Sequence, residues 1–505
     1  MKTKWVIFLA AAVAAVGLSG DGLGAVSPGP LTEVVVTLKA PFVPGRSLQS
    51  ARVAQATVVR SVERALPDAQ VRWRYHLVLD GFAVDLPRSQ VSTLAGLPGV
   101  AKVWPNVVYH EADNVSQIGA PALWGPTLAT AGQGIKIGVI DDGLDATHPY
   151  FNPAGYSYPA GFPKGQTQYT TPKVIVQRTF PAPHETWKYA STPFDPVNSF
   201  HATHVAGIAA GDHGATAGKT VISGVAPAAY LGNYKALTVP TPDFGLDGNS
   251  AEIAAAIDAA VGDGMNVINL SIGEPEVEPS RDLVDVAIAN AARAGVVPVV
   301  AAGNDFSPFG FGSVSSPGNA PAAITVAAVD SHDGVASFSS AGPTPISLQL
   351  KPDIAAPGIG ILSSLPTRQG TWGTLDGTSM ATPHASGAAA LLLQRHPTWT
   401  VAQVKSALVQ TGDGQASTLR EGGGVIDLVK ADNPLVFADP TTLSFGRVPT
   451  GSTAARTVSL TDAGGGAGTW NVSVSLQNTL GSVQAPATVS VPGTLPLTAV
   501  AGAAA

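Results

Sequence analysis

Asp376-Gly377-Thr378-Ser379-Met380-Ala381-Thr382-Pro383-His384 runs directly into Ala385-Ser386-Gly387-Ala388-Ala389-Ala390-Leu391-Leu392-Leu393. A serine that opens a long apolar run of small residues reads as a residue at the first turn of a buried helix. There the unpaired N–H groups and the positive end of the helix dipole favour a developing anion. Ser379 so placed can attack an electrophile and help hold the charge the attack creates. Thr378 and Ser379 equally suit an ordinary helix cap. The choice depends on whether the rest of the chain supplies a base, a carboxylate to orient it and a second anion donor.

At 505 residues the chain exceeds one core, and its length favours about three domains. With 12% charged and 45% hydrophobic residues, and with 56 Gly and 41 Pro, it reads as compact and rich in turns. A net charge of -7 with scattered Lys and Arg gives no basic stripe, which argues against a nucleic-acid partner. Cysteine is absent, which excludes disulfides, a thiol nucleophile and cysteine-ligated zinc. Lys2 and Lys4 precede an apolar run over 5–18, and Gly20, Gly22, Gly24 and Ala25 follow. This is the pattern of a signal peptide over 1–25. The run falls short of the roughly 20 residues that span a bilayer, so we expect secretion to the extracellular space without a membrane anchor in the mature form.

Further along, a strand at 33–38, a helix at 48–66, alternating residues over 69–86, a short helix at 88–97 and a strand at 100–109 follow in turn. That β-α-β-β-α-β order predicts a small α+β, ferredoxin-like module over 26–110, placed where a pro-segment would sit. From 111 to 433, short apolar runs at 135–140, 174–178, 231–236, 267–270, 296–301 and 323–329 alternate with helical stretches. The helices are expected at 202–210, 250–263, 281–294, 381–395 and 401–410. The alternation predicts an α/β domain built on a mostly parallel sheet with helices on both faces. Residues 151–198, rich in Pro, Tyr, Phe and Gly, read as a surface excursion. After Pro434 the pattern becomes β, with strands expected at 442–448, 455–460, 469–476 and 488–491, a partial β-sandwich over 434–505.

Three stretches supply what Ser379 needs. The strand at 135–140 runs into Asp141-Asp142-Gly143, placing an acid at its carboxyl tip, where a buried carboxylate can orient an imidazole. Phe200-His201-Ala202-Thr203-His204-Val205-Ala206-Gly207 opens a small-residue helix with a histidine suited to proton transfer near neutral pH. The strand at 296–300 ends in Ala301-Ala302-Gly303-Asn304, which presents a carboxamide that can donate to an oxyanion.

With these blocks in hand, the sequence resembles a subtilisin-like serine protease of the subtilase family. Asp141-Asp142-Gly143, His201-Ala202-Thr203-His204-Val205-Ala206-Gly207 and Gly377-Thr378-Ser379-Met380-Ala381-Thr382-Pro383 match the family's three blocks, in the family's order. The resemblance implies Asp141 as orienter, His201 as base, Ser379 as nucleophile and Asn304 as oxyanion donor. It also implies that Ser271, Ile272 and Gly273 form one substrate-binding wall and that Ala301, Ala302 and Gly303 form the facing one. An extended peptide or protein substrate would add there as a strand. Residues 26–110 resemble the propeptide that inhibits the enzyme intramolecularly, cut at about 109–116, and residues 434–505 resemble a fibronectin-III-like piece. The function implied is a secreted endopeptidase made as a self-processing zymogen. The alternative is a catalytically silent scaffold that acts as a binding protein. No cofactor is required for the chemistry, and structural calcium is compatible with the family but has no assigned residues.

The chain departs from the family at three places. Asp142 stands where Thr or Ser is usual, Ala202 replaces a glycine, and Glu274 follows Gly273 where a second glycine is common. We read Asp142 as tolerated variation in preference to a calcium site, and Glu274 as making that rim narrower or more acidic. His201 and His204 are spaced like a metal pair, but the pattern His-Glu-x-x-His is absent, so no metal ligands are assigned. His204 is expected to pack against the sheet.

Overall fold

A computed structural model describes residues 31–39, 48–75, 81–105, 114–241, 245–473 and 490–498. The expected signal peptide lies outside these residues, as does most of the expected cut region at 109–116. The chain divides into two compact units between Glu111 and Ala112.

The first unit contains β1 (Leu31–Leu38), α1 (Leu48–Ala65), β2 (Gln70–Tyr75), β3 (Gly81–Pro87), α2 (Val91–Gly96) and β4 (Val100–Pro105). The strands form one antiparallel sheet in the order β2-β3-β1-β4. Alternation in β1 turns Val34, Val36 and Leu38 inward, where they meet Val59 and Val62 of α1, Phe82, Val84 and Leu86 of β3, and Leu94 of α2. Both helices share that one core, so the β-α-β-β-α-β reading describes this unit.

The second unit is organised on an eight-stranded, wholly parallel sheet. Its strands are β5 (Lys136–Asp141), β6 (Lys164–Gly165), β7 (Val174–Thr179), β8 (Tyr230–Lys235), β9 (Val267–Leu270), β10 (Val297–Ala301), β11 (Ile324–Val329) and β12 (Ile354–Pro357), in the order β12-β11-β10-β9-β5-β8-β7-β6. Successive strand residues feed opposite cores. Val139, Val267 and Val299 join one cluster, while Ile140, Ile268 and Val300 join the other. The first cluster is covered by α3 (His201–Ala210), α6 (Thr378–Arg395) and α7 (Val401–Thr411), the second by α4 (Ser250–Asp263) and α5 (Leu283–Arg293). A sheet buried on both faces explains why its strands read as short apolar runs without alternation.

Helix α6 is the centre of the first core. Every residue from Thr378 to Leu392 is buried except Ser379. Its small residues allow close approach to α3: a Cβ on Gly387 would fall 2.9 Å from the Ala209 carbonyl oxygen and 2.5 Å from the Val225 Cβ.

The structure differs from the sequence reading at several points. Residues 151–198 do not lie wholly outside the fold, because β6 and β7 extend the main sheet, with Val174, Ile175 and Val176 fully buried. Strand β12 and a hairpin, β13 (Ile361–Ser364) with β14 (Trp372–Leu375), were not expected. Pro298 sits inside β10, but pairing with β11 begins only at Val299, so its missing N–H spares that ladder. After 434 the strands are β15 (Val436–Asp439) paired with β16 (Ser459–Asp462), and β17 (Gly468–Asn471) paired with β18 (Thr494–Leu497). Residues 442–448 are not strand; of the strand expected at 488–491 the first half lies outside the described residues and 490–491 are not strand, β18 beginning at Thr494. β15 docks on α7 through Ala438 N–H, which donates to Ser406 Oγ at 2.7 Å.

Candidate active site

The candidate residues gather at the carboxyl edge of the parallel sheet, where an open α/β sheet keeps its ligands. Asp141 ends β5, Ser271 follows β9, and Gly303 and Asn304 follow β10. His201 opens α3 and Ser379 is the second residue of α6. The turn after Asp141-Asp142 needs glycine: Gly143 has φ of +109°, and a Cβ there would fall 2.6 Å from the Pro193 carbonyl oxygen.

His201 Nδ1 lies 2.9 Å from Asp141 Oδ2 and 3.0 Å from Oδ1. The Asp141 side chain is fully buried, and that of His201 is 23% exposed, so the imidazole reaches solvent while its partner does not. Burial alone would push the imidazole pKa down. The charge of Asp141, the hydrogen bond to it and the charge of Asp142 outweigh burial and raise it to about 9.

Ser379 Oγ donates to the Ser271 carbonyl at 3.2 Å, and among the described residues this is its hydrogen bond, in place of one to His201. The contact is reciprocal, since Ser271 Oγ donates to the Ser379 carbonyl at 2.9 Å. That carbonyl is vacant because Pro383, four residues on, has no N–H to offer it. Asn304 Oδ1 accepts from Thr378 N–H at 2.9 Å and from Thr378 Oγ1 at 3.0 Å. Both bonds fix the carboxamide and leave its Nδ2 donor for another acceptor. The Ser379 N–H likewise has no acceptor among the described residues. A carboxylate–imidazole pair, a serine and two N–H donors without an acceptor among the described residues therefore gather at one sheet edge.

Comparison with known proteins matches residues 132–425 to the subtilase family and residues 34–112 to the peptidase inhibitor I9 family. The chain belongs to the subtilase family. It is 36% identical to subtilisin E of Bacillus subtilis over 355 residues, 69% of this chain and 80% of the relative. It is 37% identical to a subtilisin of Bacillus pumilus over 318 residues, 63% and 97% of the two chains. Subtilisin Savinase of Lederbergia lenta is 33% identical over 314 residues, 62% and 95%. The chain is thus a serine-type endopeptidase with an intramolecular propeptide, the organisation of a zymogen.

In this subtilase Asp142 has a defined place. Its Oδ2 accepts from Phe200 N–H at 2.9 Å and His201 N–H at 3.1 Å, and its Oδ1 accepts from Ala202 N–H at 2.8 Å. One carboxylate from the residue just past β5 thereby caps α3, where Phe200 offers no side-chain cap of its own. Burial, then the charge of Asp141, push the Asp142 carboxyl up to about 7, against the pull of His201 and the backbone N–H donors. Ala202 is fully buried at that cap.

Of the residues expected to form the two facing walls, all but Ala302 line one hollow. Ser271, Ile272, Gly273, Ala301, Gly303, Asn304 and Ser379 line a hollow of about 640 Å³. Ala302 does not line it: it is fully buried, and its carbonyl accepts from Ser315 N–H. Adjacent residues of an extended chain point opposite ways, so Ala301 and Ala302 cannot both face the cleft. The main-chain groups of Gly273 have no partner among the described residues, which leaves an open edge for a strand.

His204 is fully buried, with Nε2 3.1 Å from the Gly373 carbonyl of β14. Burial holds its pKa down at about 4, so it stays neutral. Among the described residues no group of three or more His, Asp or Glu side chains is arranged to hold a metal. Sequence reasoning missed the cap formed by Asp142, the reciprocal Ser271–Ser379 pair and the lock of Thr378 on Asn304. Pro383, four residues after Ser379, was the one signal that the Ser379 carbonyl would need an outside donor.

Proposed function

We propose that the chain is a secreted, self-processing endopeptidase that cleaves peptide bonds through an acyl-enzyme on Ser379. The observation that carries this reading is the half-buried Ser379 at the N-terminus of a buried helix, between an Asp141–His201 pair and an anchored Asn304. His201 Nε2 takes the Ser379 proton as Oγ leaves the Ser271 carbonyl and attacks the substrate carbonyl. The tetrahedral oxyanion is held by Ser379 N–H and Asn304 Nδ2. His201 then protonates the leaving amine, and water releases the acid by the same route.

Only the neutral imidazole accepts a proton, so the rate rises with pH through the His201 pKa, and the raised value supports an alkaline optimum. Residues 1–25 serve as the export signal. Residues 26–110 are the propeptide, removed by the enzyme itself, and 111–433 are the catalytic domain. Residues 434–505 are a fibronectin-III-like piece, a reading supported by two antiparallel strand pairs. Protein and peptide substrates, and the enzyme's own propeptide, are its partners.

The test is hydrolysis of labelled casein, together with labelling by a fluorophosphonate, which acylates activated serines. Wild type is expected to show both, and Ser379→Ala neither, with a loss on the order of 10⁶-fold in turnover, the figure known for subtilisin's own nucleophile. Equal hydrolysis by the two proteins refutes the reading.

A further inference from the structure

Asn269 is the third residue of β9 and is fully buried. Successive residues of that strand feed opposite cores, Val267 the one beneath α6 and Ile268 the other, so the Asn269 side chain is on the α6 face. Its partners across the ladder are Val139 of β5 and Val299 of β10. A carboxamide set between valines costs free energy unless its hydrogen bonds are made. Both ends make them: Ser386 Oγ of α6 donates to Asn269 Oδ1 at 2.8 Å, and Asn269 Nδ2 donates to Ser271 Oγ at 3.0 Å.

Pro383 decides the direction of these bonds. It leaves the Ser379 carbonyl without a donor from its own helix, and Ser271 Oγ supplies one at 2.9 Å. A serine hydroxyl carries a single hydrogen. With the amide donating to it, Ser271 keeps that hydrogen for Ser379. With the amide turned round, Asn269 Oδ1 would claim the hydrogen and strand the Ser379 carbonyl. One chain of donors therefore runs from Asn269 through Ser271 to Ser379. Residue 379 carries both the hydroxyl that attacks and an N–H that faces the oxyanion, so whatever holds its carbonyl places both groups.

We propose that Asn269 is a positioning residue for the nucleophile: anchored on α6 by Ser386, it orients the Ser271 hydroxyl, which holds the Ser379 backbone against the sheet. The proposal rests on the protease reading and deepens it. Asn269 acts only through Ser271 and touches no reacting atom. Its place in the sheet gives the relay a purpose. β9 pairs on one side with β5, which ends in Asp141, and on the other with β10, which leads to Asn304. The relay thus ties the helix of the nucleophile to the strand between those that bring the orienting carboxylate and the oxyanion donor. Ser386 lies about two turns along α6 from Ser379, so the helix is gripped at two levels.

The experiment uses the matured enzyme and a quenched peptide, with rates taken per serine titrated by a fluorophosphonate, so that unfolded molecules do not count. Asn269→Val fits between the flanking valines, Ser386→Ala suits a helix already rich in alanine, and Ser271→Ala removes the hydroxyl while keeping the carbonyl. Asn269→Val and Ser271→Ala are each expected to lower kcat roughly tenfold, the worth of about one hydrogen bond, with KM changed less than about twofold. Ser386→Ala, which leaves the amide in place but unanchored, is expected to lower kcat roughly threefold. Because Asn269 acts through Ser271, the double variant is expected to lose no more than Ser271→Ala alone. A merely structural asparagine would lower the urea midpoint, leave kcat per titrated serine unchanged and add its effect to that of Ser271→Ala. An unchanged kcat in Asn269→Val, or a double-variant loss equal to the product of the single losses, overturns the proposal and leaves the protease reading intact. Where Asn269→Val does not fold, an unchanged kcat in Ser386→Ala overturns it. A wild type that neither labels nor cleaves overturns the protease reading itself.

Discussion

Two helices, α3 and α6, begin at the site, and their first turns are treated in opposite ways. At α3 a carboxylate fills the N-terminus: Asp142 takes the N–H groups of Phe200, His201 and Ala202. At α6 no side chain of the helix caps the end, Asn304 takes the Thr378 N–H, and the Ser379 N–H stays free. Both ends are anion sites by the physics of helix termini. One is permanently occupied and so fixes the backbone of His201. The other is kept open, so the anion it receives can be the one that forms during reaction. A protein can therefore spend the same local structure on anchoring or on catalysis, depending on whether a carboxylate is built in beside it.

The comparison can be broken from either side. Removing the donor beside the open end has the larger effect. Asn304→Ala is expected to lower kcat on the order of 10²- to 10³-fold with little change in KM, measured on a peptide substrate. That magnitude is the one known for subtilisin's own oxyanion asparagine. An unchanged kcat would mean that the open end of α6 does not hold the oxyanion.

Disturbing the filled end acts on stability and on pH. Asp142→Asn puts an NH₂ group against N–H donors, and we expect a loss of about 1–3 kcal/mol in urea unfolding of the folded enzyme. It also removes a negative charge that favours the imidazolium. The His201 pKa then falls from about 9, and the rising limb of the pH–rate profile moves to lower pH by roughly one unit. Because Asp141, Asp142 and His201 share one set of charges, the limb reports the group as a whole. A limb that stays in place, or moves to higher pH, contradicts the assignment of Asp142.

Much of this arrangement was legible in the sequence because it is written in local patterns. The sheet strands are buried on both faces, so Ile137 to Ile140 and Val297 to Val300 stand out as apolar runs. The three motif blocks sit at element boundaries, where residue type and backbone geometry agree. Strand β12 was not legible, since Ile354-Ala355-Ala356-Pro357 is too short and too weakly apolar to differ from a loop. The C-terminal strands were legible only in part, the expected 455–460 and 469–476 overlapping β16 and β17, because antiparallel pairs such as β17 and β18 depend on cross-strand neighbours distant in sequence. The duty of Asp142 was hidden for the same reason. Its three donors lie 58 to 60 residues away, and adjacency to Asp141 alone suggests only repulsion.

The central claim, that Ser379 performs the chemistry and that the first target is the chain itself, is tested most directly by intact mass. The full chain and its Ser379→Ala variant are expressed side by side, and the folded products are weighed. The account predicts that wild type loses the residues up to about 110 while Ser379→Ala keeps 26–110. Identical maturation of the two proteins, or a folded wild type that keeps the whole segment, would contradict it.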